Sequence, residues 1–473
     1  MADRARHVPI LSSQCYGVTK KRVAAAAQWF PFATKGTATM LRRPAAIRGR
    51  RRFCSAAAAW WQNMPLPFYG ALLRDFMPAQ NLARDSGRAF RAIGPAGRLP
   101  QRLAVALLAA LLVAAGTPAH AEPLGLTATA KLLAGIDPGG ADPAITAITS
   151  SDAWQKHRNA ARAGGRQLRQ RLEVINRWQG AHVPAQAQGR TLLYPFSGPD
   201  FINAYAMFPA SERYVFFSLE PVGEVPGLDT MEPQRQAELF GDLRTALNDL
   251  VALNFFITPN MKERLQTDAL QGTVPVLLAM MGLLDLQVDK VEPFDPWPER
   301  TQLYASPAGK AGPHPALLEQ GVRIAFTNPR THRHQELVYL SLDVSDHALR
   351  YYPDFLPWLG KFDRPCMLLK SASYLFHGEH FRHLRKEVLA DASLIVEDDT
   401  GLPYKSLIDA GYTVTLFGQY ERPVKLFEGR YQNDLDDAYA RAGDTGKLPF
   451  PFGYNWRKEG KSGLLMAVRP PAP

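Results

Sequence analysis

Residues 191–223 read TLLYPFSGPDFINAYAMFPASERYVFFSLEPVG. TLLYPF (191–196) is an apolar run of strand length, and Ser197 and Gly198 turn the chain after it. Pro199 then opens a helical segment, PDFINAYAMF, at a position suited to proline. RYVFFSLEPV (213–222) returns as a second strand. Strand, turn, helix and strand in this order make a βαβ unit, the building block of a parallel sheet. The stretch therefore places the chain in the α/β class, and the rest of the sequence supports that reading.

Upstream, a helical stretch begins at Ser151 and carries Leu168, Leu172, Ile175 and Trp178 on one face; Arg166, Arg169, Arg171 and Arg177 are assigned to the other. Downstream, Thr230 is placed as the N-cap of a helix with Pro233 in its first turn and Leu239, Leu243, Leu247 and Leu250 on one face. TVPVLLAMMGLLDL (273–286) is apolar nearly all round and reads as a buried helix. Residues 292–315 hold six prolines and read as a long loop splitting the α/β domain into two lobes. Beyond it, GVRIAFTN and ELVYLSLDVS suggest a hairpin joined by PRTHRHQ, which adds antiparallel character. CMLLKSASYLF, LIVEDD, TVTLFGQY and GLLMAVRP read as strands; HFRHLRKEVLADA and DLDDAYARA read as helices. The expected fold is α/β, a mixed sheet with flanking helices and a helical N-terminal segment.

In such sheets the functional groups gather at the carboxyl ends of strands. Four residues near 200 are candidates for binding a ligand there: Ser197, Gly198, Asp200 and Glu220. Backbone N–H groups at the helix start would face an anion, and Asp200 would complement the helix dipole. Glu220 ends the second strand, an echo of nucleotide-binding units in which an acidic residue takes a ribose hydroxyl. Gly198 stands alone where that fingerprint needs three glycines, so no cofactor is expected. LLKSASY places Lys370, Ser371 and Ser373 past another strand, where the lysine would hold an anionic group or lower a serine's pKa. LIVEDDTGLP places Asp398 and Asp399 at a third strand end. Paired carboxylates there serve as acid and base or bind a cation, and Asp-Thr-Gly is equally a turn sequence. The catalytic candidates are Asp398, Asp399 and Lys370. No G-x-S-x-G and no S-x-x-K occurs, which argues against a standard serine hydrolase.

HGEHFRHL offers His377, Glu379, His380 and His383 as metal candidates, because ligands three or four apart share a helix face. The pattern is not H-E-x-x-H, and surface histidines beside a turn explain it without a metal. His332 and His334 would share one side if their stretch were extended.

RLAVALLAALLVAAGTPAHAEP, from Arg102, has the parts of a secretory signal. Arg98 and Arg102 form the basic flank, Leu103–Ala115 the apolar run, and Ala119-His120-Ala121 the small-x-small cleavage site. The run is too short to span a membrane, so no transmembrane segment is expected after cleavage. Residues 98–121 are thus read as a signal peptide, and 1–97 as a disordered upstream segment outside the working protein. Residues 1–121 hold 18 Lys and Arg against 3 Asp and Glu, whereas the remainder holds 37 against 41. The excess of +11 therefore sits in the leader and gives no reason to expect nucleic acid as a partner. Cys366 is the single cysteine after the signal and reads as a buried thiol. Residues 122–150, rich in Ala, Gly, Thr and Pro, read as a loose lead-in to the helices that end near 183, with the α/β domain from 184 to 473.

YPFSGPDFINA, SLEPVG, LLKSASYLFH, VEDDTGLPY and FGQYERPVKLF together resemble a family of exported bacterial proteins of unknown function. The resemblance covers most of Thr191 to Val468. It implies one architectural unit across both halves and brings no activity or catalytic residue with it. Three functions stay open. One is a periplasmic or secreted protein that binds a small molecule or an envelope component in a strand-end cleft. Another is a periplasmic hydrolase using Asp398 or Asp399 as its acid–base group. The third is an envelope scaffold that uses the arginine-bearing helix as its contact.

Overall fold

Alternating apolar residues along short central strands bury both faces of a nine-stranded sheet. The computed structural model describes residues 124–187, 189–253, 265, 267–297, 321–454 and 462–470. The segment 1–97, the stretch 98–121 read as a signal and most of the proline-rich loop lie outside them. The described residues all fall within one compact unit, Met64–Pro473.

Three helices lead: α1 (Leu126–Leu133), α2 (Pro143–Ser150) and α3 (Asp152–His182). The βαβ unit follows as β1 (Leu192–Pro195), α4 (Phe201–Met207) and β2 (Arg213–Ser218). Next come α5 (Pro233–Leu253), α6 (Val274–Leu283), β3 (Gln287–Pro293), β4 (Gly321–Asn328) and β5 (Arg333–Ser341). The second half is α7 (Phe355–Leu359), β6 (Cys366–Leu369), α8 (Arg382–Asp391), β7 (Leu394–Glu397), α9 (Tyr404–Asp409), β8 (Thr413–Gly418), α10 (Asn433–Ala442) and β9 (Gly463–Val468).

The strand order is β3-β4-β5-β2-β1-β6-β7-β9-β8. Strands β5, β2, β1, β6 and β7 are parallel; β3 and β4 extend one side antiparallel, and β9 runs antiparallel between β7 and β8. The protein is an α/β protein with a mixed sheet and flanking helices. Period-two alternation sends Leu192, Tyr194, Tyr214, Phe216, Cys366 and Leu368 to one core, against α1 to α6. Leu193, Val215, Phe217, Met367 and Leu369 go to the other, against α7 to α10. Burial on both faces explains why these strands read as continuous apolar runs. Because the crossover from β1 covers one face and that from β6 the other, their loops part at the centre of the sheet. That parting is the topological switch point, where ligands bind in open α/β sheets.

Several elements differ from expectation. The described part of the lead-in, 124–150, contains the two helices α1 and α2, and Ala130, Leu132 and Leu133 of α1 are fully buried. The close approach of α1 to α6 is possible because position 282 is glycine; a Cβ there would collide with the Ala130 carbonyl. Strands β3 and β4, on either side of the proline-rich loop, pair directly with each other. One sheet therefore runs through both halves, and the loop connects neighbouring strands rather than separating lobes. Helix α5 starts at Pro233, and the Thr230 hydroxyl donates back to the Gly227 carbonyl at 3.2 Å instead of capping it. His332 sits in the hairpin turn at φ 55°, so it does not alternate with His334 on a strand. Among the described residues no helix is long and apolar enough to cross a membrane.

Candidate functional site

The carboxyl ends of β1, β6 and β7 lie side by side, because Leu193 pairs with Met367 and Leu369 with Glu397. The residues just past those ends are Phe196, Lys370 and Asp398. Lys370 continues the alternation of Leu368 and turns to the α1–α6 side, where its Nζ lies 2.8 Å from Asp200 Oδ2. Lys370 is 4% exposed and Asp200 is 2% exposed, so this is a buried ion pair. Tyr194 donates its hydroxyl to the same carboxylate at 2.9 Å, and Asn203 Nδ2 donates to Oδ1 at 2.8 Å. Burial, with Asp200 beside it, pushes the Tyr194 pKa well up.

Arg171 is the member that sequence reading misplaced. Its expected companions on the outer face of α3, Arg166, Arg169 and Arg177, are exposed. Arg171 instead turns inward towards Asp200; burial lowers its pKa and the Asp200 charge opposes that. The signal was available: Arg171 stands three residues after Leu168 and four before Ile175, the spacing of the buried face.

Asp200 is also the N-cap of α4, its Oδ1 accepting from the Asn203 N–H at 3.4 Å. Pro199 therefore precedes the helix, and the helix start already holds a carboxylate, which corrects its expected role as an anion site. Ser197 and Gly198 are buried in the turn, where the Ser197 hydroxyl donates to the Gly198 carbonyl at 2.9 Å.

The loops after β6 and β7 are knitted together. Ser371 N–H donates to Asp398 Oδ2 at 3.1 Å, and Ala372 N–H to Thr400 Oγ1 at 2.6 Å. Thr400 donates to Asp398 Oδ1 from its N–H at 3.1 Å and from its hydroxyl at 2.5 Å. Tyr454 donates to the Ser371 carbonyl at 2.9 Å and shares a hydrogen bond of 2.7 Å with the Ser373 hydroxyl. Asp399 points the other way and accepts from the Tyr374 hydroxyl. Burial, with the Asp398 charge beside it, pushes the Asp399 pKa up to about 7. Burial also raises Asp398, against hydrogen bonds from Thr400 and Ser371 and the charge of Lys370. Glu397 is fully buried and held well up, chiefly by burial; Leu402 N–H reaches its Oε2 at 2.9 Å.

Seven non-glycine residues among those described have positive φ: Phe196, Asp285, His332, Arg364, Ser371, Ser373 and Tyr374. Four of the seven line these strand ends. Each left-handed residue of this kind costs about 1–3 kcal/mol and persists only where its surroundings hold it, as at functional sites.

Glu220 lies apart from this group. It accepts from the Ser218 hydroxyl, and Tyr339 donates to its carbonyl at 2.8 Å, in a cluster between β2 and β5. Among the described residues no hydrogen bond or ion pair joins it to Lys370 or Asp398. The histidine candidates do not converge either. Glu379, His380 and His383 are exposed, His380 on a 3-10 turn and His383 on α8 at 3.1 Å from Asp346. His377 turns inward beside Tyr374, and burial draws its pKa down to about 4. Among the described residues no three His, Cys, Asp or Glu side chains are grouped to hold a metal.

Fold and site together define a doubly wound α/β protein with a buried, charge-matched cluster at its switch point. Compared with protein-family models, curated proteins and solved structures, the chain matches none.

Proposed function

We propose that this is an exported protein that binds a small polar ligand, or a polar part of an envelope component, at the β1–β6 switch point. The observation that carries this reading is the concentration of left-handed non-glycine residues there, over a buried Asp200–Lys370 pair. The deep residues are closed off, with Asp200, Lys370 and Asp398 each at most 4% exposed. Ser371, Ser373 and Asp399, on the loops after β6 and β7, are half-buried and are the groups of the cluster nearest to the reach of a ligand, Ser373 through the hydroxyl it shares with Tyr454. Export rests on the Ala119-His120-Ala121 site and places the protein in the periplasm or outside the cell.

Native mass spectrometry of the chain purified from its source tests the reading and fixes its N-terminus. An excess mass lost on denaturation, and missing from Asp399→Asn, is expected. Equal masses, together with no heat of binding across a screen of polar metabolites, would overturn it.

A hydrolase is the second reading, favoured by Asp399 alone. A carboxyl group with a pKa near 7 is suited to proton transfer at neutral pH. Lys370 fits the expected anion-holding part less well, since its charge is matched by Asp200. Turnover of any screened substrate that Asp399→Asn abolishes while leaving affinity intact would favour this reading over binding alone.

A further inference from the structure

We infer that the outer face of α3 is a docking surface for the phosphate headgroups of an anionic lipid bilayer. This stands apart from the strand-end site and does not rest on it.

Helix α3 contains seven basic residues and two acidic ones. Its apolar positions, Trp154, Leu168, Leu172, Ile175 and Trp178, are buried against the core. Arg162, Arg166, Arg169 and Arg177 are exposed. At 100° per residue these four fall within one quadrant of the helix, and Arg158, whose guanidinium lies 5.5 Å from the Trp154 ring centroid, extends the row. From Arg158 to Arg177 the row is about 28 Å long. Glu173 is the single carboxylate within it. Among the described residues no ion pair ties Arg162, Arg166, Arg169 or Arg177 to an acid. Beyond residue 121 the chain carries more acidic than basic residues, so this row is a local reversal of sign that would orient the body on an anionic partner.

The chemistry selects among polyanions. Every exposed cation of the row is arginine, whose planar fork pairs with two phosphate oxygens at once. The aromatic side chains of the helix are buried, which leaves none for bases to stack on, as single-stranded nucleic acid requires. The row runs along one face of a single helix, which complements a flat plane of phosphates rather than a path winding round a duplex. No large apolar side chain accompanies it, so the contact is adsorption to the headgroup layer without insertion.

The test is arginine footprinting of the full chain with phenylglyoxal, read peptide by peptide. It compares vesicles of phosphatidylcholine alone with vesicles that also contain phosphatidylglycerol. Protection of Arg162, Arg166 and Arg169 by the anionic vesicles only is expected, with loss of that protection in molar salt. In the triple variant R162Q/R166Q/R169Q, binding through this face should weaken about 5-fold per arginine, roughly 100-fold in all, and protection at Arg177 should vanish. The readout is residue-specific, so binding through the basic residues 1–121 cannot imitate it. Reactivity of the α3 arginines unchanged by anionic vesicles would overturn the inference. Equal protection by inorganic phosphate alone, or by duplex DNA and not by vesicles, would do the same.

Discussion

Lys370→Met keeps most of the side-chain length at the buried ion pair and removes the charge. Asp200, 2% exposed, would then lose a partner at 2.8 Å in surroundings that water does not reach. Breaking one side of a buried pair costs about 3–5 kcal/mol, because the remaining charge is stranded. Arg171, Tyr194 and Asn203 still face Asp200, which points to the lower end, about 3 kcal/mol. That corresponds to roughly 100-fold in the unfolding equilibrium constant. With a urea dependence of about 3 kcal/mol per molar, the midpoint should fall by about 1 M. The assay is urea unfolding followed by tryptophan fluorescence, on the parent, Lys370→Met, Asp200→Asn and the double variant. The double variant removes both charges of the pair and leaves Arg171 without the Asp200 charge, so it should recover part of the loss from Lys370→Met. A single variant within about 0.5 kcal/mol of the parent would refute the reasoning, since that is the scale of a surface substitution.

Asp399 carries a folded-state pKa near 7, above its value in an unfolded chain, so the folded state holds its proton more tightly. Its contribution to stability is full below pH 4 and is lost as pH rises towards 7, and Asp399→Asn should therefore raise Tm at pH 8 with a gain that fades by pH 4. Gly453 has φ +68°, and a Cβ on it would run into Asp398 Oδ2, so Gly453→Ala should cost more than about 1 kcal/mol, read as a lower urea midpoint. Burial pushes the Cys366 thiol up to about 11, so iodoacetamide at pH 8 should leave it unmodified in the native protein and alkylate it in urea, as peptide mass mapping would report.

Periodicity carried much of the fold. The unit at 191–223, the buried helix after Thr273 and the apolar stripe of α3 form as their spacings predict, because strand and helix repeats write burial directly into local sequence. Helix α1 was hidden by its Ala- and Thr-rich composition; what secures it is packing on α6 through Gly282, a contact between segments some 150 residues apart. The β3–β4 pairing was hidden for a similar reason, since proline content marks a loop without saying what the loop joins.

At the strand ends, chain order alone singled out Asp200, Lys370, Asp398 and Asp399 as charged residues following apolar runs. Which of them meet was decided by tertiary structure. Strand order set β6 beside β1, and the pleat turned Lys370 to the side of Asp200. The same arrangement left Glu220 with Ser218 and Tyr339, and drew in Arg171 from a helix that precedes the sheet. A residue's type and phase are properties of its own segment, and sequence determines them. Its partner depends on which distant segment the core brings alongside, because pairing across a sheet is set by packing of the whole chain.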